Sequence, residues 1–130
     1  CALAPVQAVA LGVLCDALVC LAVWCSFSAR STVDRLAVVL LPVAAFVATG
    51  FEHSIANLYT VPLALLIRHA ATPDFWAAIG RTPADWPLLT PSDFLLANLL
   101  PVTLGNILGG SLLVGGVYWV IYLRPDPPRA

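Results

Sequence analysis

The run Thr49-Gly50-Phe51-Glu52-His53-Ser54-Ile55-Ala56-Asn57 sets a glycine, a carboxylate, an imidazole and an amide inside an otherwise apolar segment. Ionisable groups at membrane depth are costly, and where they occur they mark a substrate or ion pathway. Histidine suits proton exchange at such a place, because its unperturbed pKa of about 6.5 lies near physiological pH. Glu52 and His53 are neighbours in the chain, and adjacent side chains rarely converge on one reacting atom. No HExxH pair and no GxSxG elbow accompanies them. The pattern points away from an enzyme and toward a route for a small ion, with His53 held inside the membrane.

The elements that position these residues must supply apolar surroundings. Hydrophobic residues make up 61% of the 130 residues and charged ones 10%, and the mean hydropathy is +0.95. A soluble domain usually carries about 25% charged residues. A small domain leaves much of its surface exposed, so this apolar surface must face lipid or other membrane helices. The fold class is therefore all-α integral membrane. Net charge is −1, with six Arg and no Lys. No basic stripe exists, and no nucleic-acid partner is expected. The start, Cys1-Ala2-Leu3-Ala4-Pro5, lacks both a basic n-region and an initiator Met, which predicts a fragment of a longer chain. Cys1, Cys15, Cys20 and Cys25 include no CxxC pair, and the last three fall on different helix faces. They read as small packing residues, and neither a metal nor a cofactor is expected.

Residues 1–130 read as one transmembrane domain fragment with spans near 6–25, 36–67 and 99–123. The first holds only Gln7 and Asp16 as strongly polar residues. The second is too long for one crossing. Its 32 residues between Arg35 and Arg68 would make about 48 Å of helix, against a hydrocarbon core of about 30 Å. A break near 49–54 resolves this, with Gly50 free to take backbone angles closed to other residues. Irregular backbone at such depth is tolerated only where protein or a watery cavity surrounds it, and interrupted hydrophobic segments point to transport sites.

Between Arg68 and Asp93 a helix-start signal recurs: Thr72-Pro73-Asp74, Thr82-Pro83-Ala84-Asp85 and Thr90-Pro91-Ser92-Asp93. Threonine caps, proline fits the first helical position and aspartate suits the positive end. Residues 73–79 predict a short interfacial helix stopped at Gly80, with Trp76 and Trp86 at the boundary. The last span has no charge from Leu99 to Leu123. Gly105 and Gly109 form a GxxxG step on it, and Tyr118, Trp119 and Tyr122 make an aromatic belt. Arg124 to Arg129 is expected to end it in water. The turn after the first span and the C-terminal tail share one side and hold Arg30, Arg35, Arg124 and Arg129. The other side has Arg68 and Arg81. This balance places the C-terminus in the cytoplasm.

Three of these stretches resemble one family. Thr49–Asn57 resembles the central signature of the formate/nitrite transporters, Pro101-Val102-Thr103-Leu104-Gly105-Asn106-Ile107-Leu108-Gly109-Gly110 their last-helix signature, and Val19-Cys20-Leu21-Ala22-Val23-Trp24 their fourth helix. Tyr118-Trp119-Val120-Ile121-Tyr122-Leu123 is similar to the formate-channel branch. The resemblance implies an aquaporin-like fold of six spans in two inverted halves. It also implies a homopentamer with one pore per protomer, in the cytoplasmic (inner) membrane. This chain corresponds to the second half, spans four to six with the fifth broken. The first half is its expected partner, and the chain alone is not expected to conduct.

By the same resemblance His53 is the central pore histidine. Phe46 and Val19 belong to the cytoplasmic-side constriction, and Asn106 is a pore-lining amide. Glu52 receives no pore role. Asp16 stands where an asparagine is expected, adding negative charge near an anion path. The implied substrate is formate. A bare carboxylate enters low dielectric only at great cost. Either His53 passes it a proton, so that neutral formic acid slips past Phe46 and Val19, or the ring only attracts or hydrogen-bonds the anion. Backbone N–H groups near Ser54 and Ile55 would help to hold it. Nitrite or hydrosulfide transport is the nearest alternative, and a structural membrane subunit without transport activity is the other.

Overall fold

The computed structural model describes residues 3–124, all of its regular elements helical. Cys1 and the tail residues Pro125–Arg129 lie outside them, while the last helix ends at Leu123 with Arg124 extended. We number five helices: α1 (Pro5–Ser26), α2 (Thr32–Ala48), α3 (Ser54–Ala70), α4 (Pro73–Ile79) and α5 (Pro91–Leu123). A single 3₁₀ turn, Pro83–Asp85, separates α4 from α5.

The core is the seam between α1 and α5. Ala8, Gly12, Cys15 and Ala22 are the buried residues of α1, spaced four, three and seven apart, so they share one face. They meet Pro101, Val102, Gly105, Asn106 and Gly109 of α5. Small residues let the two backbones touch. A Cβ on Gly12 would lie 2.8 Å from the Val102 carbonyl oxygen, and Cβ atoms on Gly105 and Gly109 would run into the carbonyls of Val9 and Val13. The expected GxxxG step of α5 thus has its counterpart in Gly12, and the seam is closed by van der Waals contact of main chains. At one end Trp24 meets Tyr118 and Tyr122 edge-on, with ring centres 6.4 and 6.3 Å apart. Cys15 is buried in this seam, Cys20 is half-buried and Cys25 is exposed.

The long middle segment is two helices with residues 49–53 between them. Each has 17 residues, longer than its apolar run. Ser31 starts α2 early through a capping box, its hydroxyl taking the Asp34 N–H while the Asp34 carboxylate takes the Ser31 N–H, both at 3.1 Å. Arg68 and His69 extend α3 at its negative end. Gly50 stops α2. With φ +70° it turns the chain so that its own N–H reaches the Val47 carbonyl and that of Phe51 reaches Phe46, the Schellman arrangement. Gly80, at φ +62°, ends α4 at the residue expected.

The last helix begins at Pro91, eight residues before the expected 99, because Thr90 caps it by accepting the Asp93 N–H. It is not regular. The N–H of Leu100 reaches back five residues to Leu95, and that of Gly116 reaches Ser111, so the turns are locally widened. Among the described residues two helices, α1 and α5, are long and apolar enough to cross a membrane, with mean hydropathy 2.3 and 1.6 over their best windows. Outward-facing Leu36, Leu40, Leu41, Leu58 and Leu66 leave α2 and α3 with apolar surface unburied.

Candidate functional site

Residues 49–53 leave main-chain polar groups without helical partners, and each buried one must find another. Asn106, on α5, meets most of this need. Its side-chain oxygen accepts the Ser54 N–H at 2.9 Å, and its Nδ2 donates to the Glu52 carbonyl at 3.1 Å and to the Gly12 carbonyl at 2.9 Å. One amide therefore ties the break to both helices of the core seam. The partners also fix its orientation, since carbonyls only accept and an N–H only donates.

His53 occupies the cap position of α3 with extended backbone, φ −118° and ψ 119°. Its Nδ1 accepts the Ala56 N–H at a long 3.4 Å, and its carbonyl accepts the Asn57 N–H at 2.9 Å. A ring that accepts at Nδ1 carries its neutral-state proton on Nε2. The imidazole is half-buried, and Phe46 stacks on it with ring centres 5.8 Å apart and planes at 24°. Beside it the Glu52 carboxylate accepts from Asn57 Nδ2 at 2.6 Å and Asn98 Nδ2 at 3.2 Å, and Asn57 also donates to the Asn98 oxygen at 2.9 Å.

Of the five residues singled out in the sequence, the structure joins two pairs, Phe46 with His53 and Ser54 with Asn106. Val19 belongs to neither. It is half-buried on α1, which packs against α2 and α5. Two expectations change in detail. The Ser54 N–H is not open to an anion, because Asn106 occupies it and the residue is buried. The Ile55 N–H makes no hydrogen bond among the described residues. Asn106 is buried too, with both amide atoms committed to main chain.

Sequence reasoning passes over Asn98, which is only 3% exposed. A buried amide in an apolar helix was the available signal. Asp16 projects onto Gly110, whose missing side chain leaves room for the carboxylate, and the Cys20 thiol lies 3.9 Å away. A cavity of about 630 Å³ between α3, α4 and residues 85–89 contains none of the five.

The family model described as "Formate/nitrite transporter" matches residues 1–120. The chain belongs to the formate/nitrite transporter family. Among its relatives, the Formate channel FocA of Escherichia coli (strain K12) is 55% identical over 121 residues, which cover 93% of this chain and 42% of that protein. The Formate channel FocB of the same organism is 50% identical over 121 residues, 93% of this chain and 43% of that protein. A solved structure, "Pentameric formate channel with formate bound", superposes with a TM-score of 0.86 at 51% identity, covering 95% of this chain and 48% of that one. The chain thus spans less than half the length of these formate/nitrite transporter relatives. It is a transport-family membrane protein, and its relatives are channels and transporters rather than enzymes.

Proposed function

We propose that this chain is the second half of a formate channel of the cytoplasmic membrane. In this reading its three spans form one of two inverted halves of a six-span, aquaporin-like protomer, and five such protomers assemble. The observation that carries the proposal is the stacked pair Phe46–His53 at a non-helical break. It stands in a chain 51% identical to a pentameric channel holding formate. The arginine count puts the turn between α1 and α2, and the C-terminus, in the cytoplasm.

His53 is the centre of the pathway, and Phe46 and Val19 form the apolar constriction beside it. In the proton-exchange version the imidazolium gives one proton to formate, leaving neutral imidazole and formic acid. The acid passes the constriction, and the ring is reprotonated from water. The imidazolium carries N–H at both nitrogens, so it forfeits the bond from Ala56. That bond, at 3.4 Å, is long and little is lost with it. Giving up the Nδ1 proton returns the ring to the tautomer that accepts from Ala56 and keeps its proton on Nε2, and the open N–H of Ile55 is a donor for the anion. Asn106 and Ser54 hold the break that lines the route.

The test is formate flux into proteoliposomes containing the full-length protein, measured against pH. His53→Phe is expected to abolish proton-coupled uptake. Flux that kept its wild-type pH profile would rule out proton exchange and leave the electrostatic version. Because the family includes nitrite transporters, nitrite is run beside formate, and a larger nitrite flux would reassign the substrate.

A further inference from the structure

We propose that Glu52 is a positioning residue whose carboxylate serves as a hydrogen-bond acceptor, and that Asn57 and Asn98 are the donors through which it sets the place of His53. This deepens the reading of His53 as the pathway centre and rests on it.

His53 has little hold of its own. Among the described residues its side chain makes one long bond, to Ala56 at 3.4 Å, and one stacking contact. Its position is therefore inherited from the residues on either side. On one side Asn106 takes the Ser54 N–H. On the other, α5 grips Glu52 twice: Asn106 holds its main-chain carbonyl at 3.1 Å, and Asn98 holds its carboxylate at 3.2 Å. Asn57, one turn into α3, closes the ring with bonds of 2.6 Å to Glu52 and 2.9 Å to Asn98. Both Asn57 amide hydrogens are thereby used.

Both amides come from α5 at two levels. Asn98 lies within the widened turn Phe94–Leu99, where Leu100 bonds five residues back, and Asn106 lies on the regular stretch Leu100–Ile107 that follows. Asn98 reaches the Glu52 carboxylate and Asn106 its main-chain carbonyl.

Among the described residues every side-chain partner of the Glu52 carboxylate is a neutral amide donor. A glutamine oxygen would accept the same two bonds, so geometry, and not charge, is what the site uses. The alternative is a carboxylate that acts through its charge or carries a proton, and the two separate cleanly by substitution.

The experiment compares Glu52→Leu, Glu52→Gln, Asn57→Leu and Asn98→Leu in the full-length protein reconstituted in proteoliposomes. Formate flux is followed against pH, and diethyl pyrocarbonate labelling of His53 is read by peptide mass. Glu52→Leu and Asn98→Leu are expected to lower flux about tenfold, as loss of one or two hydrogen bonds would, and to change His53 labelling. Glu52→Gln is expected to restore most of both, with the wild-type pH profile. A Glu52→Gln protein as impaired as Glu52→Leu, or one with a displaced pH profile, would assign the role to charge and overturn the proposal. Unaltered labelling in the leucine variants would also overturn it. Should Asn98→Leu fail to assemble, Asn57→Leu removes the shortest bond at a half-exposed position. If the wild type carries no formate, the channel reading fails, and the labelling alone decides the positioning role.

Discussion

The side-chain oxygen of Asn106 takes the N–H of Ser54 at 2.9 Å across 52 residues of chain. This bond, with the two that Asn106 donates to Gly12 and Glu52, converts a helix interruption into a fixed piece of structure. Removing the amide would strand the Ser54 N–H and the Glu52 carbonyl, while the Gly12 carbonyl keeps its place in the α1 helix. Each buried unsatisfied group costs about 1–3 kcal/mol. Asn106→Ala is expected to lower the unfolding temperature of the full-length protein in detergent sharply. Asn106→Asp should do no better, since it sets an oxygen against the carbonyls of Gly12 and Glu52. A melting curve like the wild type's for either variant would contradict this account.

The seam between α1 and α5 makes a second claim. Gly105→Ala and Gly109→Ala place a methyl against main-chain carbonyls of Val9 and Val13, which cannot swing aside. Overpacking of this kind costs about 1–3 kcal/mol. Gly116→Ala is the control, because nothing lies within 4 Å of its added methyl. Alanine there should be neutral or gain up to about 1 kcal/mol from helix propensity. Equal stability of all three variants in detergent unfolding would show that the seam is looser than described.

Gly50 is required for its backbone angle alone. It has φ +70° and open space around the missing Cβ. An L-residue held in the left-handed region costs about 1–2 kcal/mol. Gly50→Ala is expected to destabilise by that amount and Gly50→Asn by less. The measurement is the order of unfolding midpoints, glycine above asparagine above alanine.

Asp16 brings a carboxylate to a position where the family resemblance leads one to expect asparagine. A single charge about 10 Å away through watery surroundings is worth about 0.4 kcal/mol, a factor of about two. On the proposed pathway, Asp16→Asn is expected to raise formate flux by about twofold, measured in proteoliposomes at constant ionic strength. An unchanged flux would mean that the carboxylate is not sensed from the route.

Much of this architecture is legible in the residues. The break follows from the conflict between a 32-residue apolar run and the bilayer thickness, and Gly50 marks the spot. Helix α4 announces itself with Thr72 before it and Gly80 after it. What stays hidden depends on partners far away in the chain. Asn106 reads equally as an amide facing a route or one buried against main chain, because its partner Gly12 is 94 residues distant. The partners of Asn98 and the widened turns of α5 are invisible for the same reason. Nothing local in Phe94–Leu99 signals a five-residue hydrogen bond.

Phe46 has two attachments. Its carbonyl accepts the Phe51 N–H that terminates α2, and its ring lies over His53. The covering ring is thus anchored on the last turn before the interruption and cannot be lifted by sliding the helix without undoing that terminus. Clearing the imidazole is a matter of rotating one phenyl group about its own side-chain bonds. A motion of that kind needs no rearrangement of the backbone.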